Sequence, residues 1–181
     1  MIYVFLADGF EEMEALAPVD ILRRAGLTVQ TVGIGGKTVT GSHGIPVVAD
    51  CLEADVVLEQ AEMVILPGGK GTPHLDASEL VARSVRYCVE HDRWVGAICA
   101  APSVLGHLGV LKGKTATCFP GFEKELTGAK LSEAYAVRDG KIITGRGAGA
   151  SVEFALTIVA ALCGEDKAAA LRENIQCPPL A

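Results

Sequence analysis

At 181 residues, half of them hydrophobic and about a fifth charged, the chain has the size and composition of one globular domain and is too apolar for disorder. A formal charge of −6 and a pI near 5.2 exclude general attraction to nucleic acid or to an anionic membrane, since both need a basic face. Apolar runs such as Met63 to Leu66 fall far short of the roughly 20 residues of a membrane helix, and the chain opens directly on a strand-like segment. The expectation is a cytoplasmic protein of one domain, residues 1–181, without a targeting or spanning segment.

Ile2 to Ala7 is a short apolar run, followed after Asp8-Gly9 by apolar residues at helical spacing: Met13, Leu16, Ala17, Ile21 and Leu22. This reads as strand, loop, helix. Gly26 closes the helix, Thr28 to Val32 is β-branched and apolar, and Val39 to Val48 has the glycine-broken pattern of a hairpin at a sheet edge. Met63 to Leu66 is a strand stopped by Pro67-Gly68-Gly69, Glu79 to Glu90 a helix, and Trp94 to Ile98 a further strand. A helical stretch then runs to about Leu108, a strand lies near Lys114 to Thr117, a strand pair occupies Ala134 to Thr144, and a last helix spans about Ala150 to Leu162. Continuous apolar strands alternating with helices predict an α/β fold, a doubly wound, mostly parallel sheet with helices on both faces. Such folds bind ligands at the carboxyl ends of the strands, where the turns Asp8 to Glu14, Pro67 to Gly71 and Ile98 to Pro102 should converge.

Six cysteines, Cys51, Cys88, Cys99, Cys118, Cys163 and Cys177, are scattered without Cys-x-x-Cys spacing, which points to free thiols in a reducing compartment. The four histidines form no ligand-like arrangement with them, so no metal site is expected. The strongest local signal is Gly96-Ala97-Ile98-Cys99-Ala100-Ala101-Pro102, a strand ending in small residues with a helix straight after a cysteine. It has the pattern of a nucleophile elbow with sulfur at its apex. Backbone N–H groups at the helix start are expected to favour thiolate over thiol and to stabilise an oxyanion, with help from the backbone of Gly69. In Glu11-Glu12-Met13-Glu14, the first two acids read as ordinary partners of a helix N-terminus. Glu14, if inward, would keep its proton in a partly dry pocket beside sulfur and act as donor and acceptor.

Taken in order, Asp8-Gly9-Phe10-Glu11-Glu12-Met13-Glu14, Pro18-Val19-Asp20 with Arg23-Arg24-Ala25-Gly26, Leu66-Pro67-Gly68-Gly69, Ala97-Ile98-Cys99-Ala100-Ala101-Pro102 and Arg146-Gly147-Ala148-Gly149 resemble the ThiJ/PfpI superfamily. Within it, the resemblance is to the branch of the parkinsonism-associated protein deglycase and its bacterial relatives. It implies a flavodoxin-like sandwich, a homodimer, Cys99 as nucleophile hydrogen-bonded to Glu14, and oxyanion donors at Gly69 and Ala100, with Gly68 and Phe119 lining the substrate side. Phe119 stands where many relatives carry an active-site histidine, and Ala100 where the protease-like branch has one, so a Cys-His pair is not expected. Among the other histidines, His107 lies two helical turns beyond Cys99, His91 ends a surface helix and His74 sits in a loop. His43, in a glycine-flanked loop, is read first as a surface residue and second as a group reaching a partner's pocket.

The resemblance implies deglycase or glyoxalase chemistry on reactive dicarbonyls, methylglyoxal or its adducts on thiols and amines, with no metal or organic cofactor. The alternative is a non-enzymatic oxidative-stress sensor or chaperone built on an oxidisable Cys99. An amidotransferase-like hydrolase ranks below both, because it would need the histidine that Phe119 replaces. Gly33-Ile34-Gly35-Gly36 reads as a turn rather than a nucleotide loop.

Overall fold

A computed structural model describes residues 1–178. The elements run β1 (Ile2–Leu6), α1 (Glu12–Arg24), β2 (Val29–Gly33), β3 (Thr38–Thr40), β4 (Pro46–Val48), β5 (Cys51–Leu52), β6 (Met63–Leu66), α2 (Thr72–Asp76), α3 (Glu79–Glu90), β7 (Trp94–Ile98), α4 (Pro102–His107), β8 (Thr115–Ala116), β9 (Lys130–Leu131), β10 (Ala136–Asp139), β11 (Ile142–Gly145), α5 (Ser151–Cys163) and α6 (Glu165–Asn174). Seven strands form one sheet in the order β10-β11-β7-β6-β1-β2-β5. All of its pairings are parallel except that of edge strand β10 with β11.

The strands read as unbroken apolar runs because both faces are covered. In β1 the side chains alternate: Ile2, Val4 and Leu6 pack with α1 and α5 residues such as Leu22 and Phe154, while Tyr3, Phe5 and Ala7 pack with Val81, Val85 and Leu105 of α3 and α4. From β1 the chain moves outward to β2 and β5, then returns to β6 on the other side of β1. With right-handed crossovers, that reversal puts α1 and α3 on opposite faces and opens a crevice beyond the carboxyl ends of β1 and β6.

The hairpin expected at Val39 to Val48 is present as the antiparallel pair β3 and β4. Three expectations need correction, and one strand was not anticipated. The strand near Lys114 to Thr117 is reduced to β8, which pairs with β9 outside the main sheet. The helix at Ala150 to Leu162 is not the last, since α6 follows it after Gly164; α6 is polar and short, with Ala168 and Leu171 buried, which gives little periodic signal. Strand β5 is two residues long and left no pattern to read. His74 lies in α2 rather than in a loop. Among the described residues, no helix is long and apolar enough to cross a membrane.

Candidate active site

Cys99 follows β7 directly and has φ 66, a left-handed conformation that costs a residue with a Cβ about 1–2 kcal/mol. The turn is locked by neighbours: Cys99 N donates to Gly145 O at 2.9 Å, and Cys99 O accepts from Phe119 N at 2.8 Å. The strained elbow expected from the small residues around Cys99 is therefore present. Its helix is weaker than expected, because α4 starts only at Pro102 and is six residues long, which leaves the sulfur ahead of a short dipole.

Glu14, in the first turn of α1, is fully buried. Its backbone N–H donates to the carboxylate of the N-cap Glu11 at 2.8 Å, which fixes the turn from which Glu14 points inward. Its Oε2 accepts from Gly68 N at 3.0 Å, whereas Oε1 is buried with no hydrogen-bond partner among oxygens and nitrogens. Burial first, and the nearby Glu11 carboxylate, push the Glu14 carboxyl up to about 7, against the hydrogen bonds of Cys99 and Gly68. For Cys99 burial again comes first, and with the Glu14 carboxylate beside it the thiol is pushed up to about 12 despite N–H donors from Ala100 and Gly69. These donors favour thiolate as expected, but burial and the Glu14 carboxylate outweigh them. The pair instead titrates as a unit that resists holding two charges, so that one proton is shared between carboxyl and sulfur.

The crowding explains the glycines. A Cβ on Gly68 would lie 2.8 Å from Cys99 Cβ and from Glu14 Oε2, and 2.9 Å from Ala100 N. Gly69 has φ +94, and a Cβ there would meet Glu11 N at 2.5 Å. The structure thus brings Cys99, Glu14, Gly68, Gly69 and Ala100 together. Gly69 and Ala100 present N–H groups to the sulfur, while the amide of Gly68 holds Glu14 instead. Phe119 joins through its backbone, and its half-exposed ring lies over Gly147.

Sequence reasoning missed Glu12, which is buried and accepts from His43 N at 2.8 Å and pairs with His43 Nδ1 at 2.9 Å. Although burial raises it, these hydrogen bonds hold its carboxyl below the ordinary value. The neighbouring Ser42 Oγ donates to Gly9 O and accepts from Lys70 N, so the β3–β4 loop is strapped across the Asp8 to Glu14 turn. The signal was the run of three acids, of which helix N-termini need only one or two. Glu11, Glu12 and His43 bring possible ligand atoms within 4.8 Å of one another, but Glu11 Oε2 and both oxygens of Glu12 already take N–H partners or the imidazole. His91 caps α3 and stacks on Tyr87, as expected of a residue ending a surface helix.

The profile of the DJ-1/PfpI family matches residues 1–161. The chain belongs to the DJ-1/PfpI family. Protein dj-1beta of Drosophila melanogaster is 38% identical over 168 residues, covering 91% of this chain and 90% of that protein. The glutathione-independent glyoxalase DJR-1.2 of Caenorhabditis elegans is 32% identical over 159 residues, covering 87% and 85%. Among solved DJ-1 superfamily structures, one from Salmonella typhimurium superposes with a TM-score of 0.91 at 35% identity, covering 98% of both chains. That likeness extends over the whole described sandwich, so this chain has the flavodoxin-like DJ-1/PfpI fold rather than merely its motifs.

Proposed function

We propose that this DJ-1/PfpI protein is a cysteine-nucleophile enzyme acting on reactive dicarbonyls, of the glyoxalase or deglycase type, without a bound cofactor. The observation that carries the reading is the buried Glu14 carboxyl, raised to about 7 beside a sulfur that two backbone N–H groups face. Such a group holds its proton or gives it up near neutral pH, which is what proton shuttling at that pH requires. The glyoxalase name of the Caenorhabditis elegans relative supports the same direction.

In the proposed sequence with methylglyoxal, the Cys99 proton passes to the Glu14 carboxylate as sulfur forms a bond to the aldehyde carbon. The alkoxide left on oxygen is held by the N–H groups of Gly69 and Ala100 and takes the proton from Glu14. Glu14 then removes the hydrogen from that carbon and delivers it to the adjacent ketone carbon, while the proton of the new hydroxyl passes to the ketone oxygen, which leaves a thioester of the hydroxy acid. Water cleaves the C–S bond, restoring the thiol and releasing lactate, so methylglyoxal and one water are consumed per turn. An adduct on an amine or thiol would enter at the same carbon and lose its amine or thiol as the leaving group.

Steady-state lactate production from methylglyoxal, compared with a Cys99→Ser control, tests the proposal. Many turnovers per chain in the parent and none in the control are expected. Peroxide consumption limited to one equivalent per thiol, with no dicarbonyl turnover, would replace this reading with that of an oxidative-stress sensor.

A further inference from the structure

Three segments build the site: the loop after β6 with the Gly69 amide, the turn after β7 with Cys99 and Ala100, and the strand exit after β8 that sends Phe119 N to Cys99 O. Each runs on into a short helical piece: α2, α4 and the 3₁₀ turn Glu123–Glu125. The last residues of those three pieces are Asp76, His107 and Glu125, and they meet. His107 Nδ1 lies 2.9 Å from Asp76 Oδ2, and His107 Nε2 lies 3.0 Å from Glu125 Oε2. Between this knot and the peptides of Gly69 and Ala100 lies a cavity of about 380 Å³.

A neutral imidazole has one N–H and one lone pair. With a carboxylate against each nitrogen, it would turn the lone pair toward one of them, so only the imidazolium satisfies both. None of the three helical pieces is long enough to stand alone, since a helix needs about 12 residues to be even marginal in water.

We propose that His107, as an imidazolium bridging Asp76 and Glu125, is a positioning residue that ties the far ends of the three site-building segments and so keeps the Gly69 and Ala100 amides aimed at the sulfur. The charged groups facing it are Asp76 from α2 and Glu125 from the 3₁₀ turn, with Lys70 across the same cavity; α4 itself carries no other titratable side chain. The hydrogen bond to Glu125 chiefly, opposed by burial and joined by the hydrogen bond and charge of Asp76, raises the His107 imidazole above its ordinary value. As the pH climbs through that raised value, one of the two ties is lost and the segments loosen. The inference rests on reading Cys99 as the reacting thiol, but not on dicarbonyl turnover.

The test is the rate of Cys99 alkylation by iodoacetamide, followed by peptide mapping across about pH 6 to 9, in the parent, His107→Gln and His107→Lys. Gln keeps one tie and should slow alkylation roughly five-fold at neutral pH, the weight of one half-exposed charged hydrogen bond. Lys keeps donors for both carboxylates and stays charged over the range, so it should restore the rate and remove the inflection that His107 imposes on the parent profile. Equal rates in parent and Gln variant, or a Lys variant as slow as Gln, overturn the proposal. On the unaltered protein, ¹⁵N spectra should show both His107 ring nitrogens protonated at neutral pH, and a neutral tautomer there overturns it as well. If methylglyoxal is not turned over while these rates behave as stated, the proposed function falls and the positioning role stands.

Discussion

Replacing Glu14 with Gln isolates the energetic consequence of burying a carboxyl beside a thiol. The Glu14 carboxyl is raised from 4.5 to about 7 in the folded protein, so the native state holds this proton over a pH range in which the unfolded chain has released it. The native state therefore binds the proton more tightly, and its stability is fully present below about pH 4.5 and declines as the pH rises through about 7. At about 1.4 kcal/mol for each pH unit between the two values, the loss amounts to about 3 kcal/mol. Gln has no such proton; its carbonyl can accept from Gly68 N, and its NH₂ faces the sulfur. The stability difference between variant and parent should therefore be constant below about pH 4.5 and move by about 3 kcal/mol in favour of Gln by pH 8. Urea unfolding at about pH 4, 6 and 8, under reducing conditions and with unchanged m values, measures it. A gap that does not vary with pH would refute the argument that Glu14 is the group whose ionisation the fold opposes. In the same variant, dicarbonyl turnover should fall by about 10²–10⁴ through loss of the acid/base group.

Cys99→Gly removes the left-handed strain at φ 66 and should raise stability by about 1 kcal/mol while abolishing turnover, as read by chemical unfolding; a clear loss of stability would show that the sulfur's contacts outweigh the strain. Gly68→Ala forces a Cβ to within 2.8 Å of both Cys99 and Glu14 and should cost roughly 1–3 kcal/mol through overpacking, with activity lost in protein that remains folded; parent-like kcat/KM would contradict the crowding argument. Among Cys51, Cys88, Cys99 and Cys118, limiting iodoacetamide should label Cys99, since the other three are buried and Cys99 alone is partly open to the reagent; preferential labelling of Cys88 or Cys118 would overturn this order. Because α1 leaves Met13 exposed on the helix that carries Glu14, we expect a homodimer, and light scattering should return about twice the mass of one chain at micromolar concentration.

The sequence by itself determined the parts that depend on local pattern and chain order. Unbroken apolar runs at Met63–Leu66 and Trp94–Ile98 could be stable only as strands covered on both faces, and their alternation with helices dictated a parallel sheet with a crevice at its carboxyl end. The small residues around Cys99 specify a tight turn by themselves, because larger ones could not pass through it. Tertiary structure alone decided what surrounds that turn. Burial and the Glu14 carboxylate outweigh the N–H groups that Ala100 and Gly69 turn to the sulfur, and the burial of Glu14 against Cys99 sets the shared proton, since desolvation depends on neighbours far apart in the chain. Gly68, grouped with Gly69 in one motif, turns its amide to Glu14 because β6 and α1 meet there. Glu12 and His43, separated by 31 positions, form a strap that no periodicity announces. The same holds for Asp76, His107 and Glu125: each ends a segment too short to leave a pattern, and their meeting is a product of how the three loops fold onto one another.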